Sequence, residues 1–280
     1  MKNVMKVAIL SLLFIASLWF LGSALFVKAQ IINSPDAYIF DKSGNPIVVI
    51  VPIEGDLSST IFNPTYSGKA WEFNTEGTSA LFFERSIYPL SKNENIKEFL
   101  FLVNSDSDNG PAAEEISRII KQIPQPTTVI IQGEVGRASY IVASGADTIV
   151  MEKDANLVNL GNVGMSIHRT DYGTKERKCE TSTKDIHTLT ESDCKSFLDE
   201  DQIENLREYI LDRTKIQQEI MASNRNLPIE KITNLLNRSL SASEALDRGL
   251  VDLIGNKEEF LELVYSKIGN FKILNIGDKK

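Results

Sequence analysis

Cysteine, histidine and a run of carboxylates mark the first places where this chain could do chemistry. Two cysteines and two histidines among 280 residues argue against a Cys/His zinc site, and no metal is expected. Cys179 and Cys194 lie 15 apart in the polar stretch KERKCETSTKDIHTLTESDCKS. That stretch has little apolar periodicity and reads as loose on its own. A disulfide between the two, closing a loop of that size, would contribute about 3 kcal/mol in the chain-entropy model. The bridge requires an oxidising compartment. Asp106 and Asp108 sit in the loop Asn104-Ser-Asp-Ser-Asp-Asn-Gly110. They read first as an acidic surface turn leading into the helix at Pro111, and only distantly as a cation site.

The elements around these residues alternate. IVVIVPIEG, Ile47 to Gly55, is a β-branched run bounded by turn residues and reads as a buried strand. Phe99 to Val103 reads as a second strand, Thr127 to Gly133 as a third, and DTIVME from Asp147 as a fourth. Between them, AAEEISRIIKQI has apolar residues at helical spacing, and EVGRASYIVASGA is a helix of small residues able to approach other backbone closely. Residues 56–90 give no clear pattern. This alternation implies parallel strands joined by right-handed helical crossovers. A long amphipathic helix is expected over about Glu204 to Ser223 and another after Pro228. The pattern Ser241-Ala-Ser-Glu244 is a capping box for a helix that Gly249 stops, and KEEFLELVYSKI is a last helix.

The N-terminus sets the compartment. Lys2 and Lys6 precede an apolar run from Val7 to Val27, 21 residues broken only by Ser and Gly. A helix of about 20 residues spans a hydrocarbon core of about 30 Å. The run is therefore read as a membrane anchor with residues 1–6 in the cytoplasm and the body on the far side. A cleaved signal peptide ending near Val27-Lys28-Ala29 is the rival reading. The chain has 30 basic and 38 acidic residues, net −8. Three of the basic residues (Lys2, Lys6, Lys28) and none of the acids precede Gln30, so the rest carries −11. That balance argues against nucleic acid as a partner.

Four stretches together resemble the signal peptide peptidase A (protease IV) family within the ClpP–crotonase superfamily. They are IVVIVPIEGDL, NIKEFLFLVNS, QPTTVIIQGEVGRASYIVASGADTIVMEKDANLVNLGNVGM and SLSASEALDRGLVDLIG, and their order spans about residues 47–268. The resemblance implies an α/β fold with a ClpP/crotonase-like repeated ββα core and a helical C-terminal part, preceded by one N-terminal transmembrane helix. It divides the chain into a cytoplasmic N-terminus (1–6), an anchor or signal peptide (7–27), a linker (28–46), a peptidase domain (47–268) and a C-terminal tail (269–280). It implies a membrane-anchored, extracytoplasmic serine peptidase with a Ser–Lys dyad. Its substrates would be peptides, including leftover signal peptides, and it would assemble as a homo-oligomer without a cofactor.

Carried onto this sequence, the nucleophile falls at Ser139, in Gly133-Glu-Val-Gly-Arg-Ala-Ser139-Tyr, where the family has Gly-Asp-Val-Ala-Ala-Ser-Gly-Gly. Aligned backwards from Ala146-Asp147, Arg137 takes the serine's place instead. A serine at a helix start can set its developing oxyanion near free backbone N–H groups. The oxyanion loop falls at Gly110, with Asn104-Ser-Asp-Ser-Asp-Asn-Gly110 replacing the family's Ser-Pro-Gly-Gly. The base falls at Lys184, in TSTKDIHT, and a lysine in that role must be buried enough to be neutral. His168 is the alternative base, and His187 has no role. A catalytically inactive relative that binds peptides or a membrane protein stands as the alternative, with Arg137 able to hold a carboxylate. An acyl-CoA enzyme fits poorly with an exported, acidic body.

Overall fold

The computed structural model describes residues 44–59, 63–67, 70–74, 77–161, 163–171, 175–182, 198–235 and 238–276. The expected anchor at 7–27, Lys184 and Cys194 lie outside the described residues, as do the side chains of His168 and Cys179. No helix among the described residues is long and apolar enough to cross a membrane. The compact unit that holds the sheet and its helices begins at Asn45.

Six strands build the main sheet: β1 (Ile47–Glu54), β2 (Ile96–Asn104), β3 (Thr127–Ile131), β4 (Thr148–Met151), β5 (Leu253–Ile254) and β6 (Lys272–Asn275). Their order is β5-β4-β3-β2-β1-β6, and every neighbouring pair is parallel. Parallel strands need crossovers, and these bury both faces of the sheet. Accordingly Val48, Val49, Val51 and Ile53 of β1 are completely buried, as are Phe99, Leu100 and Phe101 of β2.

The principal helices, in chain order, are α1 (Gly110–Lys121), α2 (Arg137–Ser144), α3 (Glu200–Asn224), α4 (Ile229–Thr233), α5 (Ala242–Asp247) and α6 (Lys257–Ile268). Successive right-handed crossovers place α1 and α2 on one face of the sheet. The opposite face packs Val48, Ile50, Leu100, Ile130 and Val150 against Phe260 and Val264 of α6. Period-2 alternation assigns β1 residues to the two sides in turn.

Several expectations change on contact with the fold. The described residues within 57–90 are structured. Short strands Leu57–Ser58 and Thr78–Ser79 pair, Asn63–Ser67 and Ala70–Asn74 form a hairpin, and Ala80 to Leu90 is helical, with a π-helical middle over Phe83–Ile87. No single period runs through that segment, which is why it gives no sequence signal. The long helix starts earlier, at Glu200, because Asp199 and Gln202 form a capping box. The stretch expected to be loose contributes a strand: Lys175–Ser182 pairs antiparallel with Gly164–Asp171, setting Cys179 opposite Ile167. The segment read as a tail supplies β6, so that Ile47 to Ile50 pair with Lys272 to Asn275.

The small-residue helix is packed as its composition implies. All eight residues of α2 are buried. At Gly145, which caps its end, an added Cβ would lie 2.6 Å from the Ser117 carbonyl oxygen of α1. The phenol of Tyr140 donates to the Leu250 carbonyl at 2.7 Å, and burial pushes its pKa up. Asp252 accepts from the Ile149 amide at 2.8 Å and pairs with Arg225 at 2.6 Å, so the LVDLIG segment is fastened to β4.

Candidate active site

In open parallel sheets, ligands meet the turns beyond the carboxyl ends of the strands. Here the turns after β1, β2 and β3 are stitched together. Gly55 and Gly133, just past β1 and β3, take positive φ of 64° and 63°, a conformation that L side chains rarely adopt. The Ser105 hydroxyl donates to the Gly55 carbonyl at 2.7 Å, and the Leu57 amide donates to Ser107 Oγ at 3.0 Å. Ser105 and Ser107 are buried while Asp106 and Asp108 face outward, the alternation of an extended loop. Asn109 then caps α1, its side chain accepting from the Ala112 amide at 3.2 Å. The acidic loop is thus a serine-pinned turn into a capped helix.

Gly110 opens α1 and is buried. A Cβ there would run into the Gln217 amide and come within 3.3 Å of Arg137 Nη1. The residue expected to shape an oxyanion loop is therefore packed against a guanidinium. Arg137 is the first residue of α2 and only 2% exposed. Its Nη1 donates to Gln217 Oε1, and its Nη2 donates to the Asp108 carbonyl at 3.0 Å. The Asp108 carboxylate lies 3.9 Å from Nη2, and that side chain is 81% exposed. Gln217 Nε2 in turn donates to Glu114 at 2.9 Å, and Glu114 pairs with Arg213. Burial pulls the Arg137 pKa below its ordinary value, against the opposing pull of Asp108 and Glu114.

Ser139 is the third residue of α2 and fully buried. Its Oγ has no hydrogen-bond partner among the described residues, so no described lysine or histidine nitrogen engages it. His168 lies on the Gly164–Asp171 strand, opposite Lys178 in register. The structure thus brings Gly110 and Arg137 together at the helix starts, with Ser139 two residues deeper.

Gln217, Glu114 and Arg213 carry no motif. A signal for Gln217 exists nonetheless. The buried stripe Ile203, Leu206, Ile210 of α3 continues through Thr214 and Gln217 to Met221. A glutamine on an apolar stripe at helical spacing must find a buried partner. Lower on the same helix, Asn224 donates to Ser117 and Ser144 at 3.1 and 3.0 Å, pinning α3 to α1 and α2.

With this geometry in view, the relationship to known proteins is clear. A model of peptidase family S49 matches residues 120–267, more than half of the chain. The chain belongs to peptidase family S49. This is a family of serine peptidases. Another relative is a Methanocaldococcus jannaschii protein, MJ0651, named as a candidate protease. It is 23% identical over 213 residues, covering 73% of this chain and 68% of that protein. Among solved structures, a mutant of the 1510-N membrane-bound stomatin-specific protease superposes with a TM-score of 0.51 at 13% identity, over 84% of this chain and 99% of that one. That likeness establishes the α/β parallel-sheet fold. A ClpP1 mutant from Listeria monocytogenes reaches a TM-score of 0.45 at 16% identity, over 80% of this chain and 96% of that one, and at that score decides nothing. The S49 match covers α2, its partner helix α3 and the capped motif at Ser241.

Proposed function

We propose that this S49 chain is a membrane-anchored, extracytoplasmic serine peptidase acting on peptides, with remnant signal peptides as fitting substrates. Membership of S49 carries the reading. The apolar run Val7 to Val27 supports the anchor, and the basic residues before it support a body outside the cytoplasm. In the reaction, Ser139 Oγ attacks the peptide carbonyl carbon and the Lys184 amine takes its proton. The oxyanion is met by N–H groups at the Gly110 turn and the α2 start. Lys184 then returns the proton to the leaving amine, and water hydrolyses the acyl-enzyme. Ser139 Oγ has no competing hydrogen bond among the described residues, and a buried hydroxyl without a partner calls for an explanation that a reactive role supplies. Its full burial means that the hydroxyl must be uncovered before attack. A Cys179–Cys194 bridge and assembly of several copies belong to the same reading.

A second reading is favoured by the Arg137 geometry: the chain holds peptides without cutting them. A guanidinium fills the first position of α2, and the serine hydroxyl on that turn is covered. One experiment separates the two. A fluorophosphonate probe applied to the full chain in detergent labels the peptidase, and Ser139→Ala abolishes that labelling. Undiminished labelling in the mutant removes Ser139 from the mechanism, and an unlabelled wild type that still binds peptide establishes the second reading.

A further inference from the structure

We infer that Arg137 is the receptor for a carboxylate, that of a peptide C-terminus, and that the Asp108 carboxylate occupies its place in the free protein. The inference rests on the peptide-handling reading above and adds to it the end of the peptide that is recognised.

The direct hydrogen-bond partners of the guanidinium at this corner are neutral: Gln217 Oε1 and the Asp108 carbonyl. The guanidinium is 2% exposed and lies between the starts of α1 and α2, the positive ends of both helices. Neither helix carries an acidic residue in its first turn, and Gly136 gives α2 no side-chain cap. Three positive features therefore converge, with Asp108 and Glu114 as the carboxylates that act on the guanidinium. Glu114 is already engaged by Arg213 and by the Gln217 amide. The remaining carboxylate, that of Asp108, stands 3.9 Å away and is 81% exposed. A charge-assisted N–H···O bond runs at about 2.7–2.9 Å, so this contact is a loose, exchangeable one.

At this corner one buried polar atom, Arg137 Nε, has no partner among the described residues. Nε and Nη2 form one edge of the guanidinium, and a planar carboxylate matches such an edge with two parallel hydrogen bonds. On that edge Nη2 already donates to the Asp108 carbonyl and Nε donates to nothing among the described residues. The rim of the corner is acidic, with Asp106, Asp108 and Glu134 exposed around it. That rim repels a phosphate dianion more strongly than the single charge that a peptide end carries.

The test compares a fluorescein-labelled alanine-leucine nonapeptide bearing a free C-terminal carboxylate with its C-terminal amide. Binding to the full chain in detergent is read by fluorescence anisotropy, with no turnover required. The acid form binds at least about tenfold more tightly than the amide, and Arg137→Gln erases the difference. Asp108→Asn, at an exposed position that folding tolerates, tightens the acid form severalfold and leaves the amide unchanged. N-acetylalanine as competitor separates the sources: strong competition assigns the carboxylate site to small acids and overturns the peptide end, and weak competition assigns it to a peptide end. Equal binding of acid and amide, or an Asp108→Asn variant with unaltered affinity for the acid, overturns the assignment of Arg137 and leaves peptide binding intact. Absence of binding by either peptide overturns both.

Discussion

At the scale of single residues, one buried guanidinium and one half-buried carboxyl set the behaviour of this chain. Arg137 holds Gln217 and the Asp108 carbonyl, so its removal strands acceptors inside the protein. Arg137→Ala lowers unfolding stability by about 2–4 kcal/mol, measured by urea denaturation. A smaller loss, under about 0.5 kcal/mol, would show that the guanidinium is not integrated into the fold. Glu98, on β2, is the second. Burial raises its pKa from 4.5 to about 7, partly opposed by the hydrogen bond from the Thr128 hydroxyl and by Lys267, while Asp147 adds to the rise. Below pH 4.5 the carboxyl is neutral whether the chain is folded or not. Between pH 4.5 and 7 the unfolded chain ionises it first, so stability falls as pH rises through that window. Glu98→Gln, which keeps an acceptor for Thr128, therefore melts at a higher temperature than wild type at about pH 8 and equally at about pH 4, as calorimetry at the two values checks. An equal difference at both pH values would trace the effect to packing.

At the scale of elements, the contact of α1 with α2 is decided by what is missing from Gly145. A methyl there would sit 2.6 Å from the Ser117 carbonyl oxygen, so Gly145→Ala forces the helices apart. The expected cost is about 1–3 kcal/mol, read from the shift in urea midpoint. The same contact explains how much of the fold was legible in advance. A run of Ala, Ser and Gly states that a helix will approach something closely, and the buried, apolar strand runs state where the sheet lies. Neither states the partner. The π-helical stretch within 80–90 and the pairing of Lys175–Ser182 with its sequence neighbour Gly164–Asp171 escaped because neither Phe83–Ile87 nor Lys175–Ser182 carries a clear apolar period. Helix α3 is the mixed case. Its stripe is visible, yet only its packing shows that Gln217 meets Arg137, 80 residues away.

At the scale of the whole molecule, the chain completes its sheet with an edge strand laid against β1. After β5 the chain passes through α6 and lays β6 alongside β1. Truncation after Gly269 removes that strand, exposes the β1 backbone and uncovers an edge. The truncated chain melts several degrees lower and aggregates on heating, measurable by light scattering during a thermal ramp. An unchanged melting curve would make β6 a passenger. The proposed topology has its own test. In intact cells with a permeable outer layer, added protease digests residues from 47 onward and spares a tag placed before Lys2, whereas protection of the body would place it in the cytoplasm.

The sequence alone determined what depends on local chemistry. Alternating apolar runs required a parallel α/β sheet, the capping box at Ser241 fixed where α5 begins, and four ordered motifs pointed to the S49 peptidases. The occupant of the site was decided in three dimensions. Ser139 and Arg137 lie two positions apart on one helix, and a helix turns each successive side chain by about 100°. Only the packing of α1, α2 and α3 shows that this turn buries the hydroxyl and brings the guanidinium to the Asp108–Gly110 turn.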